Sequence, residues 1–348
     1  MKKNRMWVLS VITVMLVILL AVGSVNYIVD PLWLNNNKNQ FNKLQSSFDE
    51  RQQKTNHITF NDFNYDTLIV GTSRTTYINQ HEFIGLKAYN YSVSAMRISE
   101  YNDYIEYAKT RNGKDFEFIV LELYWESFNK DIPSTHNDPS YYINTSNLPF
   151  YRLGSLLSID TLEYSKENIE ASFNERLTET RMYDRDNIAY TKGKSEKRSK
   201  REKEEFLAKA KNNRYKSNYD ENYIGHLNVI KENNPNTKFI IFTNPLTDYH
   251  LKSKVSNSSS FKDYERWIND MIEVFGEVYN FTTINTITND ITNYYDSHHF
   301  YPEVGTLIAH RLVGYENELI PSDFGILVTN ENVGQHLEFV KNQLGIDL

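Results

Sequence analysis

The chain begins with an apolar, uncharged run from Met6 to Val29, preceded by the basic residues Lys2, Lys3 and Arg5. A helix of this length can span a hydrocarbon core of about 30 Å. The basic flank predicts a single-pass protein whose N-terminus is cytoplasmic and whose residues after Asp30 lie outside the cell membrane. Ala21–Gly23 also resembles the small-residue site of a cleaved signal peptide. The apolar run continues beyond that site, which favours an uncleaved anchor, and both interpretations predict an exported protein.

Short apolar runs alternate with helical patterns through most of the remaining sequence. Five runs have the length and the β-branched or aromatic content of strands: Tyr65–Val70, Tyr89–Val93, Phe116–Tyr124, Lys238–Thr243 and Val278–Phe281. Apolar residues at helical spacing predict helices at Glu100–Lys109, Tyr223–Asn233, Phe261–Phe275 and Glu303–Leu312. Strands separated by helices predict an α/β fold with a doubly wound, mostly parallel sheet.

This alternation is interrupted between residues 130 and 235. The pattern there predicts a polar loop at Asp131–Pro149, one or two helices in Ser155–Glu179, and a solvated charged helix in Lys192–Lys216. We therefore predict an anchor at 1–29, a juxtamembrane stalk or a first helix before the sheet at 30–60, an α/β domain at 61–320 with a helical insertion at about 130–235, and a tail at 321–348 with a helix over Glu331–Leu344.

Composition narrows the possible function classes. The 348 residues carry 38 Lys and Arg against 45 Asp and Glu, and the net charge of −7 gives no reason to expect nucleic-acid binding. Cysteine is absent, which excludes disulfides and thiolate metal sites and is compatible with an extracytoplasmic location. The 25 Tyr and 19 Phe suit carbohydrate stacking, although an aromatic-rich core is the simpler interpretation.

The first candidate for chemistry follows the first predicted strand, within Asp66–Arg74. Thr67–Val70 has the pattern of a buried strand, which ends at Gly71, and Ser73 follows two residues later. In an α/β sheet, a strand followed by a tight glycine turn presents a hydroxyl at the carboxyl edge of the sheet. Ser73 is therefore a candidate nucleophile, and a solvated turn serine is the alternative.

A second candidate stretch lies near the C-terminus, at Asp296–His299. A serine hydroxyl needs a base to take its proton, and the base needs a group that orients it. Residues three apart can face the same side, so Asp296 and His299 can fill both roles. His298 is a rival base, and a surface histidine is the alternative for it. Adjacent histidines seldom converge on one ion, so we expect neither a metal nor another cofactor.

Gly71–Arg74 and Asp296–His299 together resemble the first and last blocks of the SGNH (GDSL-like) hydrolase superfamily. The chain looks most like its membrane-anchored cell-envelope branch, which includes polysaccharide O-acetyltransferases and the teichoic-acid D-alanylation protein. The resemblance covers roughly residues 60–315. It implies a three-layer, flavodoxin-like fold and a triad of Ser73 as nucleophile, His299 as base and Asp296 as its partner. It also implies a multi-span membrane acyltransferase that delivers acyl groups.

The chain departs from this superfamily in its middle blocks, where a glycine and an asparagine donate hydrogen bonds to the oxyanion. No Gly-x-Asn-Asp stretch is present. Ser94 stands in the place of the glycine, and Asn90, Asn244 and Arg74 are further candidates for binding the oxyanion or the substrate. The backbone N–H of Ser73 is the natural first donor. A structural ion pair is the alternative for Arg74.

Tyr124, Trp125 and Tyr295 are candidates for stacking on a sugar ring. The leading hypothesis is an exported, membrane-tethered serine enzyme, an O-acetyltransferase or acetylesterase acting on an envelope or extracellular polysaccharide. Two alternatives stay open. One is a non-catalytic scaffold or polymer-binding subunit of an envelope acylation complex, which the missing middle blocks favour. The other is transfer of D-alanine to teichoic acid.

Overall fold

The computed structural model of the chain describes residues 2–177, 179–212, 216–315 and 318–346. Its helices are α1 (Lys2–Val29), α2 (Glu50–Phe60), α3 (Ile98–Asn112), α4 (Pro139–Ser146), α5 (Tyr151–Leu156), α6 (Ile159–Asn174), α7 (Glu196–Asn212), α8 (Tyr223–Glu232), α9 (Asp248–Lys254), α10 (Ser258–Phe275), α11 (Thr286–Asn289), α12 (Pro302–Leu312) and α13 (Val333–Leu344). Its strands are β1 (Gln45–Ser46), β2 (Thr67–Val70), β3 (Ala88–Asn90), β4 (Phe118–Glu122), β5 (Met182–Tyr183), β6 (Ala189–Tyr190), β7 (Lys238–Phe242), β8 (Glu277–Asn280) and β9 (Ile326–Thr329).

The chain divides into two compact units. The first unit comprises Met1–Phe63 and Ser140–Lys192, and the second comprises Asn64–Pro139 and Gly193–Leu348. The segment that the sequence suggested as a stalk and part of the suggested insertion therefore fold together in the first unit. That unit contains a small antiparallel sheet in the order β1-β5-β6.

The centre of the first unit is α2, a helix of mostly polar residues that is nearly all buried. Its polar side chains find partners inside the unit: Gln52 donates to the carbonyl of Tyr142 at 3.2 Å and to the hydroxyl of Ser146 at 2.7 Å. The hydropathy of residues 30–60 suggests solvent exposure, because a sequence pattern does not reveal that such side chains find hydrogen-bond partners in a distant segment.

The first helix, α1, is exposed along its apolar length. Its segment Asn4–Val29 has a mean hydropathy of 2.8 and is long and apolar enough to cross a membrane. At 1.5 Å per residue, these 26 residues measure about 39 Å.

The second unit is an α/β domain with a six-stranded sheet in the order β3-β2-β4-β7-β8-β9. Every neighbouring pair from β3 to β8 is parallel, and only the edge strand β9 runs antiparallel, to β8. The predicted mostly parallel sheet is confirmed. From β2 the chain moves outward to β3 and then crosses back to β4, so the strand order reverses between β2 and β4. Ligands of open α/β sheets bind outside the carboxyl ends of the strands at such a reversal.

Most predicted elements of this unit are present, often one to three residues shorter at an end. The five predicted strands correspond to β2, β3, β4, β7 and β8, and the predicted tail helix to α13. The inner face predicted for α10 is buried, including Tyr264, Trp267, Ile268 and Met271. The charged run folds as α7, and residues 213–215 of that prediction lie outside the described residues.

Two segments differ from the sequence analysis. The predicted loop Asp131–Pro149 contains α4, a short helix that begins at Pro139, where the fixed proline φ suits a helix start. Strand β9 was not predicted, because its four residues lie in a part of the tail without a clear alternating pattern.

Candidate active site

The loop that follows β2 carries the candidate nucleophile. Gly71 is the first residue of this loop, and a Cβ there would collide with the side chains of Glu122 and Thr75. The glycine is therefore required because β4 brings a carboxylate against the backbone. Ser73 is part-buried, and the single turn of 3-10 helix Thr75–Tyr77 follows it.

Glu122, the last residue of β4, holds this loop. Its carboxylate is fully buried and accepts hydrogen bonds from the Thr72 N–H at 2.5 Å and the Thr72 hydroxyl at 2.9 Å. It also accepts from the Thr75 hydroxyl and from the side-chain amide of Asn244, which follows β7. One carboxylate thus connects the carboxyl ends of three adjacent parallel strands, β2, β4 and β7.

Ser73, His299 and Asp296 form a continuous hydrogen-bonded series. The Ser73 Oγ lies 2.8 Å from His299 Nε2, and His299 Nδ1 lies 2.7 Å from Asp296 Oδ2. Since a carboxylate only accepts, the Nδ1 of His299 carries the proton and its Nε2 can accept from the serine hydroxyl. This order is the one that allows a serine to be deprotonated during attack.

The Asp296 carboxylate is fixed by its own loop. Its Oδ1 accepts from the backbone N–H groups of His298 and His299 at 2.9 and 2.8 Å. Burial alone would raise the pKa of this carboxyl, but the hydrogen bonds from the His299 ring and from the backbone N–H of His298 outweigh burial and hold the pKa below its usual range. Asp296 is therefore ionised at neutral pH, as a partner of an imidazole should be.

The rival base, His298, has a different hydrogen-bond partner, although its Nδ1 also lies 3.4 Å from Asp296 Oδ1. Its Nδ1 lies 3.1 Å from the hydroxyl of Ser297, which in turn lies 3.0 Å from Nδ1 of His250 on α9. Burial and the neighbouring His299 hold the pKa of His298 well below its usual value, and burial lowers the pKa of His250 to about 3. Both rings are neutral at pH 7, and the His298 ring lies against the His299 ring, with centroids 4.1 Å apart and planes tilted by 41°.

Two of the candidate oxyanion residues are committed to the protein itself. The side-chain amide of Asn90 donates to the carbonyls of Thr75 and Ile78, at 2.8 and 2.9 Å. The amide of Asn244 donates to Glu122. Both side chains therefore support the loop after β2 and do not have these hydrogens available for a substrate.

The other two candidates lie at the rim of the loop. Arg74 has its Nε 3.8 Å from Glu122 and stacks over the ring of Tyr124, so the ion-pair alternative describes its contacts. Ser94 is half-buried in the turn after β3. The N–H of the preceding Val93 donates to the carbonyl of Gly71 at 3.1 Å, which places the Ser94 turn beside the nucleophile loop.

The three aromatic candidates have different surroundings. Trp125 is buried in the core against Phe128 and Trp267, so it has no face for a sugar. Tyr124 is half-buried beneath Arg74, and burial raises its pKa to about 12. Tyr295 is half-buried beside the triad, with the guanidinium of Arg198 4.2 Å from its ring centroid.

Sequence reasoning missed Glu122 and His250. For Glu122 a signal was available, because it is an acidic residue inside the otherwise apolar run Phe116–Tyr124, close to its carboxyl end. A charge at such a position is costly unless it is paired, so it points to a buried polar network. For His250 the sequence carries no comparable signal.

Asp296, His298 and His299 each offer a ligand atom within 4.8 Å of the others, so they could also hold a metal ion. The hydrogen bond between His299 and Asp296 joins two of these atoms directly, and a cation would have to displace its proton. The geometry thus suits proton transfer better than metal binding.

Comparison of the sequence with protein-family models and with curated proteins gave no match in either case.

Proposed function

We propose that this protein is an SGNH-type serine enzyme of the cell envelope that transfers or hydrolyses an acyl group. The observation that carries the proposal is the series Ser73–His299–Asp296, with distances of 2.8 and 2.7 Å. The strand order supports it, since in order of appearance the parallel strands of the second unit lie as 2-1-3-4-5, the flavodoxin-like order. Ser73 follows the strand next to the reversal of that order.

In the proposed reaction the Oγ of Ser73 forms a bond to the acyl carbonyl carbon while His299 Nε2 takes the proton of the Ser73 hydroxyl. The protonated His299 then gives this proton to the oxygen of the departing alcohol, which leaves an acyl ester on Ser73. In the second half, His299 takes a proton from the acceptor hydroxyl or from water, the new ester or acid forms, and Ser73 regains its proton. Asp296 stabilises the charged imidazole in both halves.

The proposed donors to the oxyanion are the backbone N–H of Ser73 and the turn that contains Ser94. The side-chain amide of Asn90 donates to the carbonyls of Thr75 and Ile78, and that of Asn244 donates to the Glu122 carboxylate. We therefore assign them to positioning the loop. This assignment replaces the glycine and asparagine donors of the superfamily with backbone groups, which can stabilise an oxyanion equally well when they are fixed.

The apolar α1 supports the proposal that the enzyme is anchored in the membrane with the second unit outside the cytoplasm, as the basic residues before it suggest. An envelope or extracellular polysaccharide would then be the acceptor, acetyl the simplest acyl group, and a multi-span membrane acyltransferase the donor. Tyr295, half-buried beside the triad, is the candidate for contact with a sugar ring.

Turnover of an activated acetyl ester by the full-length protein in detergent tests this proposal. Ser73→Ala should lower kcat by a factor of about 10⁴ or more, because a triad without its nucleophile retains only a small residual rate. Ser259→Ala, which removes an exposed hydroxyl at the start of α10, is the matched control and should keep full activity. Equal turnover by the wild type and Ser73→Ala would refute the proposed role of Ser73.

A further inference from the structure

The first unit exposes a group of large apolar side chains beside the end of α1. Leu148, Phe150, Leu153 and Ile159 are 57, 82, 54 and 69% exposed. They lie in the turn before α5, in α5 itself and at the first residue of α6, within a stretch of twelve residues from Leu148 to Ile159. Adjacent exposed apolar side chains of this size are typical of a surface that binds another protein, a ligand or a membrane.

This stretch is attached directly to α1. The buried side chain of Asn26 donates to the carbonyls of Leu156 and Ser158, at 2.9 and 3.0 Å, and accepts from the hydroxyl of Ser165 at 2.9 Å. Gly23 lies so close to Leu157 that a Cβ there would be 3.2 Å from its Cδ2. The apolar stretch is therefore held at the level of residues 23–26 of α1.

That level coincides with the boundary of a bilayer. A hydrocarbon core of about 30 Å corresponds to about 20 helical residues. Counted from the basic residue Arg5, it ends near Val25. Gly23 and Asn26 then lie at the far edge of the core, and the residues that contact them lie at the same depth.

The composition of the stretch suits that position. Residues 148–159 contain one basic residue, Arg152, and no acidic residue, in a chain with 45 Asp and Glu. Aromatic and leucine side chains next to a lone arginine are typical of segments in the interfacial layer, whereas acidic groups are repelled by anionic lipid.

We propose that residues 148–159 insert into the interfacial layer of the membrane beside α1 and contact lipid directly. The proposal rests on the membrane anchoring proposed above and adds a second point of attachment to it. Lipid is the occupant that the structure favours, because the stretch contacts Gly23 and Asn26 of α1, the helix that would itself lie in lipid. Two attachments would fix the orientation of the first unit relative to the membrane, which a single helix followed by a flexible chain would not.

Single-cysteine variants test this, since the wild-type chain has no cysteine. Phe150→Cys and Leu153→Cys report on the stretch, and Leu16→Cys, in the middle of α1, reports on the anchor. Phe173→Cys is the matched control, because Phe173 is 58% exposed on α6 but lies about 20 Å along that helix from Ile159. Each full-length variant is labelled with an environment-sensitive fluorophore and reconstituted into phosphatidylcholine–phosphatidylglycerol vesicles.

The expected result is a blue-shifted emission for labels at positions 150 and 153, with quenching by nitroxide lipids labelled near the headgroup and protection from aqueous iodide. The label at position 16 should be quenched by nitroxides deep in the acyl chains, and the label at position 173 by iodide. Labels at 150 and 153 that behave like the label at 173 would overturn the proposal while leaving the anchor intact. Protection that appears only after a second protein is added would also overturn it, and an iodide-accessible label at position 16 would overturn the anchor itself.

Discussion

Both units bury charged side chains where an apolar residue would be ordinary, and the two groups have different surroundings. In the first unit the fully buried Lys54 of α2 lies near Glu50, which is also buried and pairs with the half-buried Arg181 at 3.0 Å. In the second unit the fully buried Glu122 accepts hydrogen bonds from a loop whose next residues, Ser73 and Arg74, reach solvent.

The difference separates a structural network from a positioning one. Buried charge by itself identifies neither, because both carry a cost of desolvation that partners must offset. The network of Glu122 continues outward to a hydroxyl, an imidazole and a second carboxylate at the carboxyl edge of a parallel sheet. The network of Lys54 and Glu50 leads to the guanidinium of the half-buried Arg181. Substitutions in the network of Glu122 should lower both turnover and the free energy of unfolding. Substitutions in the network of Lys54 and Glu50 should change only the free energy of unfolding.

The largest expected effect separates the two adjacent histidines. His299→Ala should lower turnover of an activated acetyl ester by a factor of about 10³ to 10⁶, because it removes the base in contact with Ser73. His298→Ala is the matched variant and should retain activity to within about tenfold, since its described hydrogen bond goes to Ser297. Steady-state kinetics at pH 7 measure both. A greater loss of turnover in His298→Ala than in His299→Ala would show that His298, and not His299, is the base.

The next largest effect concerns the carboxylate beneath the nucleophile. Glu122→Gln places an NH₂ group where only donors point, so it should lower the free energy of unfolding by about 2–4 kcal/mol. It should also lower turnover, because Thr72 and Thr75 lose their common acceptor. Chemical denaturation and kinetics are the two measurements. Glu106→Gln, which breaks a surface pair with Lys109, should cost less than about 1 kcal/mol and leave turnover unchanged.

If Glu122→Gln reduced stability but not turnover, Glu122 would belong with the structural network of the first unit, and the distinction between the two regions would be lost.

The smallest effect on turnover is expected in the first unit, where the change is a pH dependence of stability. Burial lowers the pKa of Lys54 to about 7, with Glu50 opposing burial and Arg181 adding to it. In the unfolded chain the pKa of a lysine is about 10.4. Between pH 7 and about pH 10.4 the unfolded chain therefore binds one more proton than the folded chain, so Lys54 makes the free energy of unfolding rise with pH. The slope is at most about 1.4 kcal/mol per pH unit.

Lys54→Met removes that dependence. We expect the free energy of unfolding of the variant, relative to that of the wild type, to be higher at pH 6 than at pH 9. Chemical denaturation at the two pH values measures this difference, and turnover should not change. Besides Glu50 and Arg181, the groups near Lys54 include the ring of Tyr183 and the half-buried His57. A difference between variant and wild type that is the same at both pH values would show that Lys54 keeps its proton throughout.

The sequence revealed the parallel sheet and the residues of the hydrogen-bonded series because both depend on local patterns. The run Thr67–Val70 before Gly71 and the spacing of Asp296 and His299 are visible without coordinates. The contacts that decide which polar residues support the loop are not local: Asn90 donates to Thr75 and Ile78, and Asn244 to Glu122, 122 residues away. The burial of α2 was not predicted for the same reason, because the partners of Gln52 on α4, Tyr142 and Ser146, lie 90 and 94 residues away.

Covalent labelling of the full-length protein with a fluorophosphonate, followed by mass spectrometry of its peptides, tests the central claim most directly. Only a serine activated by a base reacts rapidly with this reagent. The account predicts one adduct, on Ser73, which disappears in Ser73→Ala, falls sharply in His299→Ala and persists in Ser259→Ala. A folded protein that remains unlabelled, or that carries its adduct on Ser297, would contradict it.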